Sequence, residues 1–232
     1  MIIKEAVEEL DIKIWGNTIQ RCSNLIFNFA HKSLLQVLPT AANLKRWNIS
    51  IDPNCPLCGK NMPQTNKHVL ANCSAPAALN RFTARHNEIV QMIYLWLKTV
   101  ISTNQQVLVD LPNERGESTS SLFTNQRPDI AILGEDSVQI LEITVCHDTN
   151  LINSKNYKTN KYRTLSRNAL PRISNKVIQC FTFEISVTGL MAPTRDFTQA
   201  CKLPPLPKNL KENLIRSVLN NSYKIYCNRN NV

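Results

Sequence analysis

Residues 127–145 constrain the fold of this chain more than any other stretch. Arg127-Pro128-Asp129-Ile130-Ala131-Ile132-Leu133 and Val138-Gln139-Ile140-Leu141-Glu142-Ile143-Thr144-Val145 flank the polar turn Gly134-Glu135-Asp136-Ser137. Two apolar, β-branched runs around a short polar turn predict a β-hairpin. If Leu133 faces Val138, each step outward pairs the next residue on either strand, and Asp129 falls opposite Glu142. Both carboxylates then share one sheet face, with Cβ atoms about 4.5–5.5 Å apart. Glu142 lies between Leu141 and Ile143 in a run that reads as buried, where an unpaired carboxylate costs several kcal/mol or so. Spacing alone leaves two readings: the pair shares a hard divalent cation, or Glu142 forms a structural ion pair with a lysine while Asp129 merely begins a strand.

The rest of the chain supplies layers for this hairpin. Apolar residues recur at helical spacing from Asn17 to Leu38, where Pro39 ends the run, and a short helix is expected over Ala41–Trp47 behind Thr40. Ser74 and Pro76 begin a further helix whose stripe of Leu79, Phe82, His86, Ile89, Ile93, Trp96, Leu97 and Val100 is wide enough to cover a sheet. On that stripe His86 is expected to be a satisfied core histidine. A strand over Gln105–Leu111, the hairpin, a helix over Asn153–Ala169 stopped by Pro171, and the alternating strand Phe181–Val187 follow. A C-terminal amphipathic helix carries Leu210, Leu214, Ile215, Val218 and Leu219 and is expected to end at Asn220-Asn221. Helix, strand, hairpin, helix and strand make an α/β (α+β) fold, a mixed sheet flanked by helices.

Cys55, Cys58, His68 and Cys73 stand in the spacing C-x2-C-x9-H-x4-C. A tight C-x2-C turn lets two thiolates share one metal, and Gly59 permits the left-handed backbone that closes it. Four protein ligands would make the Zn2+ structural, the alternative being coincidental free thiols. The domain division expected is a helical segment over 1–52, a zinc knuckle over 53–76 and the sheet domain over 77–232.

A formal charge of +10 points to a polyanionic partner. The excess concentrates between Thr149 and Phe183, which holds Lys155, Lys158, Lys161, Arg163, Arg167, Arg172 and Lys176 and no acidic residue. Together with Arg127 these residues suit phosphate contacts that carry no sequence information. Residues 1–9 lack the pattern of a signal peptide, and the longest apolar run, ending at Lys98, is too short for a bilayer. The expectation is an intracellular protein with reduced or metal-bound cysteines.

Asp129, Glu142 and a lysine from the following helix suit phosphodiester cleavage, the carboxylates holding Mg2+ or Mn2+ and the lysine orienting water or stabilising the phosphorane. Pro128-Asp129, twelve residues and then Glu142 resembles the PD-(D/E)xK nuclease motif, with Thr144 where the lysine usually stands. One branch of that superfamily carries the lysine on the next helix: the restriction-like endonuclease at the C-terminus of early-branching non-LTR retrotransposon polyproteins. Arg127-Pro128-Asp129, Glu142, Lys158-Thr159-Asn160-Lys161-Tyr162, the Cys-Cys-His-Cys knuckle and Arg85-His86-Asn87 match its motifs in order, and Leu38-Pro39-Thr40 with Asn43-Leu44-Lys45-Arg46-Trp47 resembles its segment after the polymerase.

The resemblance implies a PD-(D/E)xK core, with Lys158 as catalytic lysine and Lys161, Tyr162 and Lys155 supporting it. It also implies duplex DNA as target, element RNA as a further partner, and a nuclear location. The polymerase motif Tyr/Phe-Ala-Asp-Asp is absent from this sequence, so the resemblance leaves two expectations, a C-terminal fragment of such a polyprotein or a standalone descendant that works with a reverse transcriptase supplied by a related element. The rival expectation is a nucleic-acid-binding remnant that keeps the knuckle and the basic helix without cleavage.

Overall fold

The computed structural model describes residues 11–112, 114, 117–163, 165, 169–231. The segment expected to be one helix up to Leu38 is two: α1 (Ile12–Gln20) and α2 (Asn24–Leu34). Each has its own N-cap, Asp11 accepting from Ile14 N and Ser23 accepting from Ile26 N. A capping serine inside an apolar run restarts the helix, because its hydroxyl satisfies a donor the new first turn would leave orphaned. Gln36, at φ 58°, takes the left-handed conformation just past α2, so the helix ends before Pro39 acts. Thr40 precedes α3 (Ala41–Arg46) without a side-chain cap bond.

A π-helical turn (His68–Asn72) leads to the long α4 (Pro76–Val100). The N-cap of α4 is Ala75 rather than Ser74, since Pro76 at the first helical position holds the residue before it in extended backbone. Then come β1 (Gln106–Val109), β2 (Ile130–Leu133), β3 (Ser137–Cys146), α5 (Leu151–Tyr162), β4 (Val177–Ser186), the short α6 (Arg195–Ala200) and α7 (Lys208–Cys227). The sheet order is β1-β2-β3-β4; β3 pairs antiparallel with β2 and parallel with β4. A parallel pair needs a crossover, and α5 supplies it.

Strand alternation divides the core into two layers. Ile130, Ile132, Leu141, Ile143, Phe183 and Ile185 face α4 and α7, while Ala131, Leu133, Val138 and Ile140 face Tyr162, Leu165 and Ile173. Ile19, Ile26 and Ala30 of α1 and α2 join the first layer. The fold is therefore a four-stranded mixed sheet flanked by helices.

Two helices differ from expectation for tertiary reasons. α5 stops at Tyr162 because the chain beyond it is drawn beside residues 122–123: Leu165 is buried, Ala169 bridges to Phe123, and Leu170 N donates to Leu122 O. α7 runs through Asn220-Asn221, since Asn221 donates to Glu88 and the next turns bury Ser222 and Ile225. No described helix is long and apolar enough to cross a membrane.

Candidate functional sites: a Cys/His tetrahedron and a carboxylate pair

The knuckle begins as a narrow loop. Asn54 bridges to Pro63 and Cys55 N donates to Met62 O at 2.9 Å, so Cys55 and Cys58 lie on one small excursion. Gly59 closes it at φ +60°, the left-handed conformation its sequence position called for. His68 opens the π-helical turn and Cys73 follows it, bringing both back over the loop. The four ligand atoms all lie within 4.8 Å of one another. Cys55 Sγ is 3.9 Å from Cys73 Sγ, and Cys58 Sγ is 3.6 Å from His68 Nε2. Zinc–sulfur bonds of about 2.3 Å in a tetrahedron imply sulfur–sulfur edges of about 3.8 Å, so the donor set and its spacing fit zinc. Burial depresses the His68 pKa, which favours the neutral, ligating imidazole, and raises that of Cys73 to about 11. Burial also raises Cys58, but hydrogen bonds from the Lys60 backbone and neighbouring thiols outweigh it and bring Cys58 below its usual range.

The second centre lies on the α5 side of the sheet. Leu133 pairs with Val138 and Ile130 with Leu141, the register that the turn residues implied. Continued outward by one pair, it sets Asp129 against Glu142, and their hydrogen bonds cross: Ile143 N donates to Asp129 Oδ2 at 2.7 Å, and Asp129 N to Glu142 Oε2 at 3.3 Å. Glu142 is 3% exposed. Lys158, one turn before the end of α5, donates to Glu142 Oε1. Tyr162, one turn further, is buried beside the same carboxylate, and Lys161 reaches its hydroxyl at 3.2 Å. Burial raises the pKa of Glu142 and Asp129 adds to the rise, while Lys158 opposes it. Burial, then the Glu142 charge, pushes the Tyr162 phenol well above its normal range.

His86 belongs to this centre, contrary to the expectation of a core histidine. Its Nε2 lies 3.0 Å from Asp129 Oδ1 and its side chain is 28% exposed. Helical periodicity placed it on a sheet-facing stripe but could not show which end of the sheet that turn meets. The available signal was chemical, since a polar member of such a stripe requires a polar partner. Beside it Arg85 is 1% exposed and donates to Leu70 O, within the turn that His68 begins, and to Ser222 Oγ of α7. Adjacent residues of α4 thus reach the knuckle and the carboxylate pair.

The remaining basic candidates do not converge there. Arg127 pairs with Asp110, Arg172 with Glu117, and Lys176 caps the hairpin turn by donating to the carbonyls of Gly134 and Glu135. Arg172 and Lys176 also lie outside α5, which is shorter than the basic helix read from sequence. Arg163 and Lys155 are exposed, at the end and on the flank of α5. Arg167 falls outside the described residues.

The paired carboxylates suit a hard divalent cation, which takes oxygen donors. Each of their four oxygens has a protein partner, and two of these partners, Lys158 and His86, are side chains that can move away. Residues 3–79 match the profile of a family described as zinc-binding in reverse transcriptase. That part of the chain is a zinc-binding domain associated with reverse-transcriptase-type proteins, and Cys55, Cys58, His68 and Cys73 are its metal site. No curated protein matches the chain.

Proposed function

We propose that the sheet domain is a metal-dependent endonuclease that nicks duplex DNA, the C-terminal module of a non-LTR retrotransposon protein with a PD-(D/E)xK core. The observation that carries this reading is the convergence of Asp129, Glu142 and Lys158 on one sheet face. Asp129 and Glu142 would hold Mg2+ or Mn2+ as paired oxygen donors. When bound, the cation would supply neutralising charge for a scissile phosphate and acidity for the attacking water. Lys158 is placed on α5 to donate to a water or to the phosphate oxygens, and Tyr162 with Lys161 fixes the α5 side of the carboxylate pair. His86 orients Asp129 through its Nε2. Exposed Lys155, Lys161 and Arg163 grip the DNA backbone without reading sequence, so affinity falls steeply with salt.

A second reading has one observation in its favour: with every carboxylate oxygen satisfied by protein, the metal-free site is already stable. In that case the chain is a nucleic-acid-binding remnant of such an element. A supercoiled plasmid separates the two. The nuclease gives relaxed circles with Mg2+ and none with EDTA, and Asp129→Ala, Glu142→Ala and Lys158→Ala each abolish nicking while most DNA binding persists. Wild-type protein that binds the plasmid in a salt-dependent way and never nicks it selects the remnant.

A further inference from the structure

Beyond Glu142 the same sheet face carries a second buried acid. Thr144 on β3 and Glu184 on β4 are register partners, as are Glu142 and Thr182, so Glu184 is a diagonal neighbour of Glu142. Glu184 is 1% exposed, and its Oε1 has no hydrogen-bond partner among the described residues; the buried Oγ1 of Thr144 beside it has none either. A buried carboxylate oxygen without a partner is unfavourable and rare. Burial raises the Glu184 pKa, and Thr182, Lys155 and Lys158 draw it back, which places both ammonium groups within electrostatic reach. In this structure the Lys158 ammonium is paired with Glu142.

A divalent cation and an ammonium cannot both take Glu142 Oε1, the oxygen Lys158 now holds, because like charges at contact distance repel strongly even at intermediate dielectric. A cation bound through Oε1 displaces Lys158 from it, and the flexible four-carbon stem lets the ammonium move without α5 shifting. Diagonal neighbours across paired strands lie on the order of 7 Å apart, a distance that stem can swing through.

We propose that Glu184 is a positioning residue, the carboxylate that receives the Lys158 ammonium when a divalent cation takes Asp129 and Glu142. This rests on the nuclease reading in taking those two carboxylates as the cation's ligands. The swing turns an orphaned oxygen into half of an ion pair and holds Lys158 beside the cation rather than in its place. Substrate-facing donation then falls to a lysine whose position Glu184 sets.

The test is calorimetric Mn2+ titration of the zinc-loaded protein as wild type, Glu184→Gln, Lys158→Met and the double variant. Glu184→Gln should weaken Mn2+ binding about tenfold, because Lys158 stays on Glu142. Lys158→Met should bind at least as tightly as wild type, and in that background Glu184→Gln should change the affinity less than about twofold. Equal affinity of Glu184→Gln and wild type overturns the proposal, as does the same weakening with and without Lys158, which marks a ligand or a structural acid. If wild-type Mn2+ binding is absent or survives Asp129→Ala unchanged, the cation reading beneath it fails as well. Should Glu184→Gln not fold, Mn2+-soaked wild-type crystals decide: Lys158 Nζ should hydrogen-bond Glu184, and Nζ still on Glu142 with Mn2+ bound refutes the swing.

Discussion

In the knuckle the ligand atoms of three cysteines and a histidine lie within 4.8 Å of one another, whereas on the sheet Asp129 and Glu142 face Lys158 and His86. The first arrangement is complete only with a metal. Four protein ligands close the zinc site, and the surrounding loop has little apolar core of its own, so metal binding is folding energy there. In the second, protein groups already occupy every carboxylate oxygen, and Lys158 sets one positive charge against the pair. The zinc site closes on its metal with four protein ligands, while the carboxylate pair has partners, Lys158 and His86, that are side chains able to step aside.

The comparison breaks first, and most severely, at the zinc. Cys58→Ser should lose the metal and loosen residues 53–76 while the sheet stays folded, since structural zinc is worth about 10–16 kcal/mol in such small sites. Elemental analysis should find one zinc in wild-type protein, and hydrogen exchange of the variant should accelerate in that segment alone. Freshly purified, reduced wild-type protein without zinc would contradict it.

Arg85 ties the two regions together and comes next. Arg85→Met leaves the Leu70 carbonyl and the Ser222 hydroxyl without their buried donor and should cost about 3 kcal/mol in denaturant unfolding. A loss under about 1 kcal/mol would mean that the knuckle is held to the sheet domain by other contacts. Gly59→Ala should cost about 1 kcal/mol, from the positive φ alone, because nothing lies within 4 Å of a Cβ there.

The smallest effect is a pH dependence on the carboxylate side. Burial and Asp129 raise the folded-state pKa of Glu142, so the folded state holds its proton at higher pH than the unfolded chain. Its contribution to stability is fully present below the unfolded pKa and is lost as pH rises through the folded one. In metal-free buffer, Glu142→Gln should therefore lose less stability than wild type as pH rises from the ordinary carboxylate range toward neutrality. An unchanged slope would show that Lys158 cancels the burial.

The hairpin was legible in the sequence because a short polar turn fixes register and strand alternation then fixes the face of every side chain, Asp129 and Glu142 included. The zinc ligands were legible because their spacing is local. What escaped was set by distant partners. His86 meets Asp129 across 43 positions of chain, and no local pattern reports which end of a sheet a helix turn will reach. Glu184 read as one polar member of an alternating strand; its significance depends on the parallel pairing with β3. α5 ended early and α7 ran long because residues 122–123, Arg85 and Glu88 compete with local helix signals. Ser23 is the local exception: its hydroxyl caps Ile26 N within an apolar run that otherwise reads as one helix.

The contrast between the two centres is tested most directly by anomalous scattering from Mn2+-soaked crystals, recorded at the zinc and manganese edges. The zinc peak should lie inside the tetrahedron of Cys55, Cys58, His68 and Cys73, and a manganese peak should lie about 2.1 Å from an oxygen of Asp129 and one of Glu142, with Lys158 displaced from Glu142. At saturating Mn2+, no manganese peak between the carboxylates, with Lys158 still paired to Glu142, would contradict the exchangeable cation and leave the sheet centre a structural ion pair.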